Sequence, residues 1–208
     1  MGDADEHRIA GNPIIPGTAY LEMVRAAAER HSNGRDIEIR DVFFLAPLGL
    51  REDEKREVRV VLERQGEMYS FRVLSKPNEE NASGEDWNEY AGGKVAFVPP
   101  GPERRQDLAA IEQRCSVRRV LLTDDSKRDE DLGPRWQSFK HAYIGKNELL
   151  AFLEFPGEFA SDFDKLRMHP ALLDRALETG KEYLVPQGVY LPMGYKRLTI
   201  KRPLGGRV

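Results

Sequence analysis

The stretch His7–Met23, HRIAGNPIIPGTAYLEM, decides how the rest of the chain is read. A histidine, a glycine and two prolines stand ahead of a helix that begins at Pro16-Gly17. A helix starting there exposes unpaired backbone N–H groups and the positive end of its macrodipole, which together suit a carbonyl oxygen or an anion. His7 supplies a base that works near neutral pH. The ring and the helix start serve one site only if the fold joins them, so partners must be sought downstream.

Composition limits what such a site can be. The chain has 208 residues with 40% hydrophobic content, enough for one large domain or two lobes of about 100 residues each. Lys plus Arg number 32 against 35 Asp plus Glu, a net charge of -3, which argues against a nucleic-acid binder whose affinity rests on phosphate neutralisation. The single cysteine, Cys115, excludes an internal disulfide framework and a cysteine-based zinc cluster and fits a reducing compartment. His31, His141 and His169 lack metal-ligand spacing with a carboxylate or cysteine, so no metal is expected. No apolar run approaches the roughly 18 to 20 residues needed to span a bilayer and no signal peptide precedes His7, so no membrane association and a cytoplasmic location are expected.

Two halves share one layout. In the first, a helix from Pro16 to about Arg30 carries Tyr20, Met23, Val24 and Ala27 at the spacing of a buried stripe. Strand-like runs follow from Ile37 (IEIRDVFFL), Glu57 (EVRVVLERQ), Met68 (MYSFRVLS) and Trp87 (WNEYAGGKVAFV), β-branched, aromatic and separated by turn formers. Prolines from Pro99, a short charged helix and the charge run TDDSKRDED predict an inter-lobe linker over 99–131, between an N-terminal lobe at 1–98 and a C-terminal lobe at 132–208. The second half offers a turn at LGPRWQSF, strands near KHAYIGK and ELLAFLEFP, a helix entered at Pro170 in HPALLDRALETGKEYL, and a last strand in YLPMGYKRLTIK.

These residues carry a resemblance. His7, Gly11 and Pro16 fit the HxxxGxxxxP motif of polyketide synthase dehydratase domains, and PGTAYLEM continues as that family's first central helix does. Asp174 in HPALLDRALE fits the family's aspartate on the second central helix. Gly133 and Pro134 in LGPRWQSF resemble its YGPxF turn, and YLPMGYKRLTI its late strand. Four motifs in the expected order are far more specific than any one of them. The resemblance implies an α+β double-hotdog fold, two lobes each with a central helix wrapped by an antiparallel sheet. The family carries further strand sequence before the histidine and after the late strand, so truncation at both ends and self-association along uncovered edges are expected. Two positions depart from the family pattern: Glu178 stands where Gln or His is usual, and Leu132 where tyrosine precedes the turn.

The chemistry follows from the residue types. Removing water from a β-hydroxyacyl thioester needs a base at the α-carbon, an acid for the departing hydroxyl and a donor for the carbonyl. His7 is expected as the base, Asp174 as the acid, kept protonated by Leu172, Leu173 and Leu177, and the Gly17 N–H as the carbonyl donor, worth roughly 3 kcal/mol in the transition state. Outside the motif, His7 reads as a packed or capping residue, and Asp174 with Glu178 as two solvated carboxylates one turn apart. Gly11, Pro16, Gly133 and Pro134 support the turns, and Trp136 and Phe139 read as packing residues. The resemblance implies no dissociable cofactor, a substrate delivered on the phosphopantetheine arm of an acyl carrier protein into a tunnel between the two central helices, neighbouring polyketide synthase domains as partners, and a homodimer. An isomerase, epimerase or cyclase of the same fold would also keep His7, and a catalytically idle scaffold would need neither residue. Asp174 favours dehydration, because loss of hydroxide needs an acid.

Overall fold

The computed structural model describes residues 6–51, 54–77, 87–102, 105–121, 132–184 and 192–208, the side chains of 181–184 excepted. In chain order the elements are β1 (Arg8–Ile9), β2 (Asn12–Ile15), α1 (Gly17–Ser32), β3 (Asp36–Phe44), β4 (Leu48–Gly49), β5 (Val58–Gln65), β6 (Met68–Ser75), β7 (Asn88–Val98), α2 (Leu108–Arg114) and β8 (Arg118–Leu121). A 3-10 turn (Pro134–Trp136), β9 (Phe139–Ile144), β10 (Leu149–Leu153), a 3-10 segment (Gly157–Asp164), α3 (Pro170–Leu184) and β11 (Gly194–Ile200) complete them. They form two compact units, one of Asn12–Gly101 with Leu191–Arg202, the other of Met1–Gly11, Pro102–Tyr190 and Pro203–Val208.

In the first of these units, Pro16 enters α1 in extended conformation (φ -66°, ψ 149°) and a run rich in Ala, Leu, Met, Glu and Arg sustains the helix. Asn33 and Gly34 end it in the left-handed region, at φ 50° and 77°. The helix lies against β3, β5, β6 and β7 of a five-stranded antiparallel sheet ordered β11-β3-β7-β6-β5. Ile39, Phe71, Val73 and Val95 are fully buried there, an apolar face of the kind that dominates folding free energy. Gly93 admits the Phe71 ring, since a Cβ there would stand 2.7 Å from it.

The buried face of α1 differs from the expected stripe. Tyr20 and Val24 are buried, but Met23 and Ala27 are only half-buried, and Thr18, Leu21, Arg25 and Ala28 face inward instead. The inward arginine accounts for the rotation. Arg25 donates to both carboxylate oxygens of Glu22, at 2.6 and 2.9 Å, and to Glu29 at 2.9 Å. A hydrogen-bonded ion pair tolerates burial that a lone charge does not, whereas apolar periodicity assigns every arginine to solvent.

The other unit has a three-stranded antiparallel sheet ordered β10-β9-β8, with α3 packed on β10. Trp136, Leu153, Phe155, Ala171 and Leu172 form its main core cluster, and Val120, Phe139 and Ala142 a smaller one. Segment 203–208 closes on it through hydrogen bonds from Leu153 N–H to the Val208 carbonyl and from Phe155 N–H to the Gly206 carbonyl, 2.8 and 2.7 Å.

Three segments fall elsewhere than the sequence layout places them. The stretch expected as a linker supplies α2, whose Asp107 cap accepts from the Ala110 N–H at 3.0 Å, and β8, which pairs with β9 from Arg118↔Ile144 to Leu121↔His141. Its charge run lies outside the described residues. The last strand, β11, pairs antiparallel with β3 from Gly194↔Phe43 to Ile200↔Ile37, so it belongs to the sheet under α1. The start of the chain, by contrast, groups with Pro102–Tyr190. Alternation marks a segment as a strand but does not name its neighbour, and a strand from late in the sequence satisfies an open ladder edge as well as an early one.

Candidate active site

The site assembles within the unit that holds α3. His7 and Leu132 form an antiparallel backbone bridge, and the next residue, Gly133, donates its N–H to the Glu6 carbonyl at 2.6 Å. A glycine is required there: a Cβ on Gly133 would stand 2.5 Å from the Glu6 side chain. Pro134 then opens the 3-10 turn with its φ already set. Arg135 locks the arrangement. Its backbone N–H donates to Glu6 Oε2 at 2.9 Å and its guanidinium to Glu6 Oε1 at 2.5 Å and to Asp162 Oδ2 at 2.8 Å, while lying 4.0 Å over the Phe159 ring. The residue before His7 is thereby tied to the turn that ends in Trp136.

Asp174 reaches the same place from α3. Its Oδ2 stands 3.8 Å from His7 Nε2, with the two side chains 15% and 12% exposed, too far for a direct hydrogen bond and open on one side. The indole Nε1–H of Trp136 donates to that same Oδ2 at 3.1 Å. The His7 and Trp136 ring centroids are 5.5 Å apart at 34°. A base and a carboxyl group, braced by one aromatic ring, thus share a partly exposed locus.

The surrounding carboxylate is held ionised. Burial by itself raises the Asp162 pKa, but the hydrogen bond and charge of Arg135, with His169 3.5 Å from Oδ2, outweigh it and leave the group below its ordinary value. His169 is itself buried and packs its ring 4.3 Å from Phe155, immediately before the Pro170 helix start.

Within this unit the structure brings together His7, Gly133, Pro134 and Asp174. Gly11 lies in the same unit, exposed, with φ 78° beside Ala10 at φ 50°; it shapes a turn that favours glycine. Pro16 and Gly17 belong to the other compact unit. Gly17 is the first residue of α1, and a Cβ on it would meet the Phe44 ring at 2.7 Å. Glu178 is half-buried on α3, one turn beyond Asp174. Of the leucines expected to shield Asp174, Leu172 is buried and Leu173 half-buried, but Leu177 is 40% exposed. Among residues 170–180 Leu177 alone is exposed, so its apolar surface faces solvent and does not shield Asp174. Trp136 is the residue that sequence reasoning missed. It is buried as a packing residue should be, and a buried indole also needs an acceptor, but no local pattern names that acceptor as Asp174.

The chain is similar to known proteins along most of its length. The family model described as "Polyketide synthase dehydratase domain" matches residues 4–76, and the one described as "Polyketide synthase dehydratase N-terminal domain" matches residues 100–208. Polyketide synthase PksN of Bacillus subtilis is 28% identical over 214 residues, covering 95% of this chain and 4% of that protein. The chain therefore spans a small fraction of the length of this curated relative. Among solved structures, the dehydratase domain from the CurF module of curacin polyketide synthase superposes with a TM-score of 0.86 at 25% identity, covering 98% of this chain and 74% of that one. CurK dehydratase, solved as inactive mutants with a histidine changed to Phe or an aspartate to Asn, superposes with a TM-score of 0.82 at 22% identity, covering 98% and 73%. The fold is the double hotdog of these domains.

Proposed function

The chain belongs to the polyketide synthase dehydratase family, and from that premise we propose that it removes water from a carrier-bound β-hydroxyacyl thioester to give the α,β-unsaturated thioester. The observation that carries the reading is the approach of His7 Nε2 to Asp174 Oδ2, 3.8 Å, at a partly exposed locus. The inactive CurK mutants involve the same two residue types.

In this mechanism His7 takes the proton from the α-carbon, and the electron pair left behind forms the new double bond as the β-hydroxyl departs. Asp174 gives its proton to that hydroxyl, so that water leaves instead of hydroxide. The proton gained by His7 and the one lost by Asp174 balance, and the pair is restored by proton exchange after product release. Polarisation of the thioester carbonyl falls to a backbone donor. Gly17 opens α1, where the first N–H groups have no intrahelical acceptor, and is our candidate for that donor. The reaction so written needs no dissociable cofactor. An acyl carrier protein with its phosphopantetheine arm would deliver the substrate, neighbouring synthase domains would flank the chain, and a second copy would complete a homodimer.

Mass spectrometry of a synthetic carrier-bound β-hydroxyacyl substrate tests this reading. Loss of one water on incubation with the chain is expected. An unchanged mass across substrates of varied length and α-substitution would overturn it and favour an isomerase, epimerase, cyclase or scaffold.

A further inference from the structure

Trp136 touches both groups of the candidate site. Its indole N–H donates to Asp174 Oδ2 at 3.1 Å, and its ring lies 5.5 Å from that of His7. It is 2% exposed, packed with Leu153, Phe155, Ala171 and Leu172, and it ends a 3-10 turn that Gly133 and Arg135 tie to Glu6. The ring therefore has little freedom, and neither does its N–H vector.

An indole nitrogen is a donor only. The carbonyl oxygen of a carboxylic acid is a better acceptor than its hydroxyl oxygen, so the contact favours Oδ2 as the carbonyl oxygen. The transferable proton of a protonated Asp174 then resides on Oδ1. We propose that Trp136 is a positioning residue: its N–H fixes the Asp174 side-chain rotamer and selects Oδ1 as the oxygen that carries the proton to the departing hydroxyl, while its ring backs the His7 imidazole. This rests on the dehydratase reading above and adds to it a group that does not itself contact the reacting atoms.

The contact has a sign. A donor to Oδ2 favours the ionised over the protonated carboxyl, so removing it raises the pKa of Asp174. A general acid works only while protonated, and the alkaline limb of the pH-rate profile follows its pKa. Trp136→Phe keeps an aromatic ring beside His7 and deletes the donor. Its kcat falls by about 10- to 100-fold, the cost of a misplaced catalytic group, its KM changes little, and its alkaline limb moves to higher pH. A purely structural role for Trp136 would lower the folded fraction and leave the limb in place.

A second measurement does not depend on that variant folding. The chain has two tryptophans, Trp87 and Trp136, so a 15N-labelled full chain gives two indole N–H signals, assigned by Trp87→Phe. The Trp136 signal is expected to shift with pH as Asp174 titrates, and the shift to vanish in Asp174→Asn. An active parent with a Trp136 signal that is flat across the pH range of the activity profile overturns the role of Trp136 and leaves the dehydratase reading standing. A parent that dehydrates no carrier-bound substrate overturns that reading and the positioning role with it, even where the indole signal titrates.

Discussion

His7 and Asp174, near opposite ends of the chain, meet with Nε2 and Oδ2 3.8 Å apart in a single compact unit. One arrives on the segment that pairs with Leu132, the other on the second turn of α3. Neither is part of the apolar core, so each can be replaced with little effect on folding. His7→Ala and Asp174→Asn are each expected to lower dehydration by about 10²- to 10⁴-fold, with thermal midpoints close to that of the parent. Rates on a carrier-bound substrate and melting curves check both halves of this expectation.

Glu178 lies one turn from Asp174 on the same helix and is half-buried. Like charges at that spacing resist double ionisation, so an ionised Glu178 raises the pKa of Asp174. Glu178→Gln removes that charge. The alkaline limb of the pH-rate profile should then move to lower pH, opposite in direction to the shift expected of Trp136→Phe. An unmoved limb in an active variant would show that Glu178 is not coupled to the acid.

Arg135 holds Glu6 and Asp162 at once through side chains that are 17%, 18% and 22% exposed. Because the folded-state pKa of Asp162 is lowered, its contribution to stability is fully present above the unfolded-state value and is lost as pH falls through the folded-state value. Arg135→Met should cost about 2 to 3 kcal/mol at neutral pH, and the gap between variant and parent should narrow in acid. Urea denaturation at neutral and acidic pH measures both. Since Glu6 adjoins His7, the variant should also lose turnover.

Gly17→Ala keeps the backbone N–H but places a Cβ 2.7 Å from the Phe44 ring, which is packed between Tyr20 and Tyr195 at centroid distances of 6.1 and 5.8 Å. Overpacking of this kind costs about 1 to 3 kcal/mol. Chemical denaturation should report that loss. A fall in kcat beyond the loss of folded protein would support Gly17 as the carbonyl donor, because displacing the helix start displaces its N–H.

The two central helices and the strands β3, β5, β6 and β7 are legible in the sequence because their causes are local. Pro16 and Pro170 preset helix entrances, and β-branched alternation marks β3, β5, β6 and β7. His7 and Asp174 are legible as candidates because residue type and motif spacing carry them. Partnership between distant segments is decided only in the folded chain, where open ladder edges and core faces are satisfied by whatever segment reaches them. That is why β11 joins β3, why the 99–131 stretch contributes β8, and why the first residues group with the second half. The same holds for burial of charge. Arg25 turns inward because Glu22 and Glu29 accept all that it donates, and the Trp136 N–H finds Asp174 because a buried donor must end on some acceptor. Which acceptor it finds is a matter of three-dimensional packing.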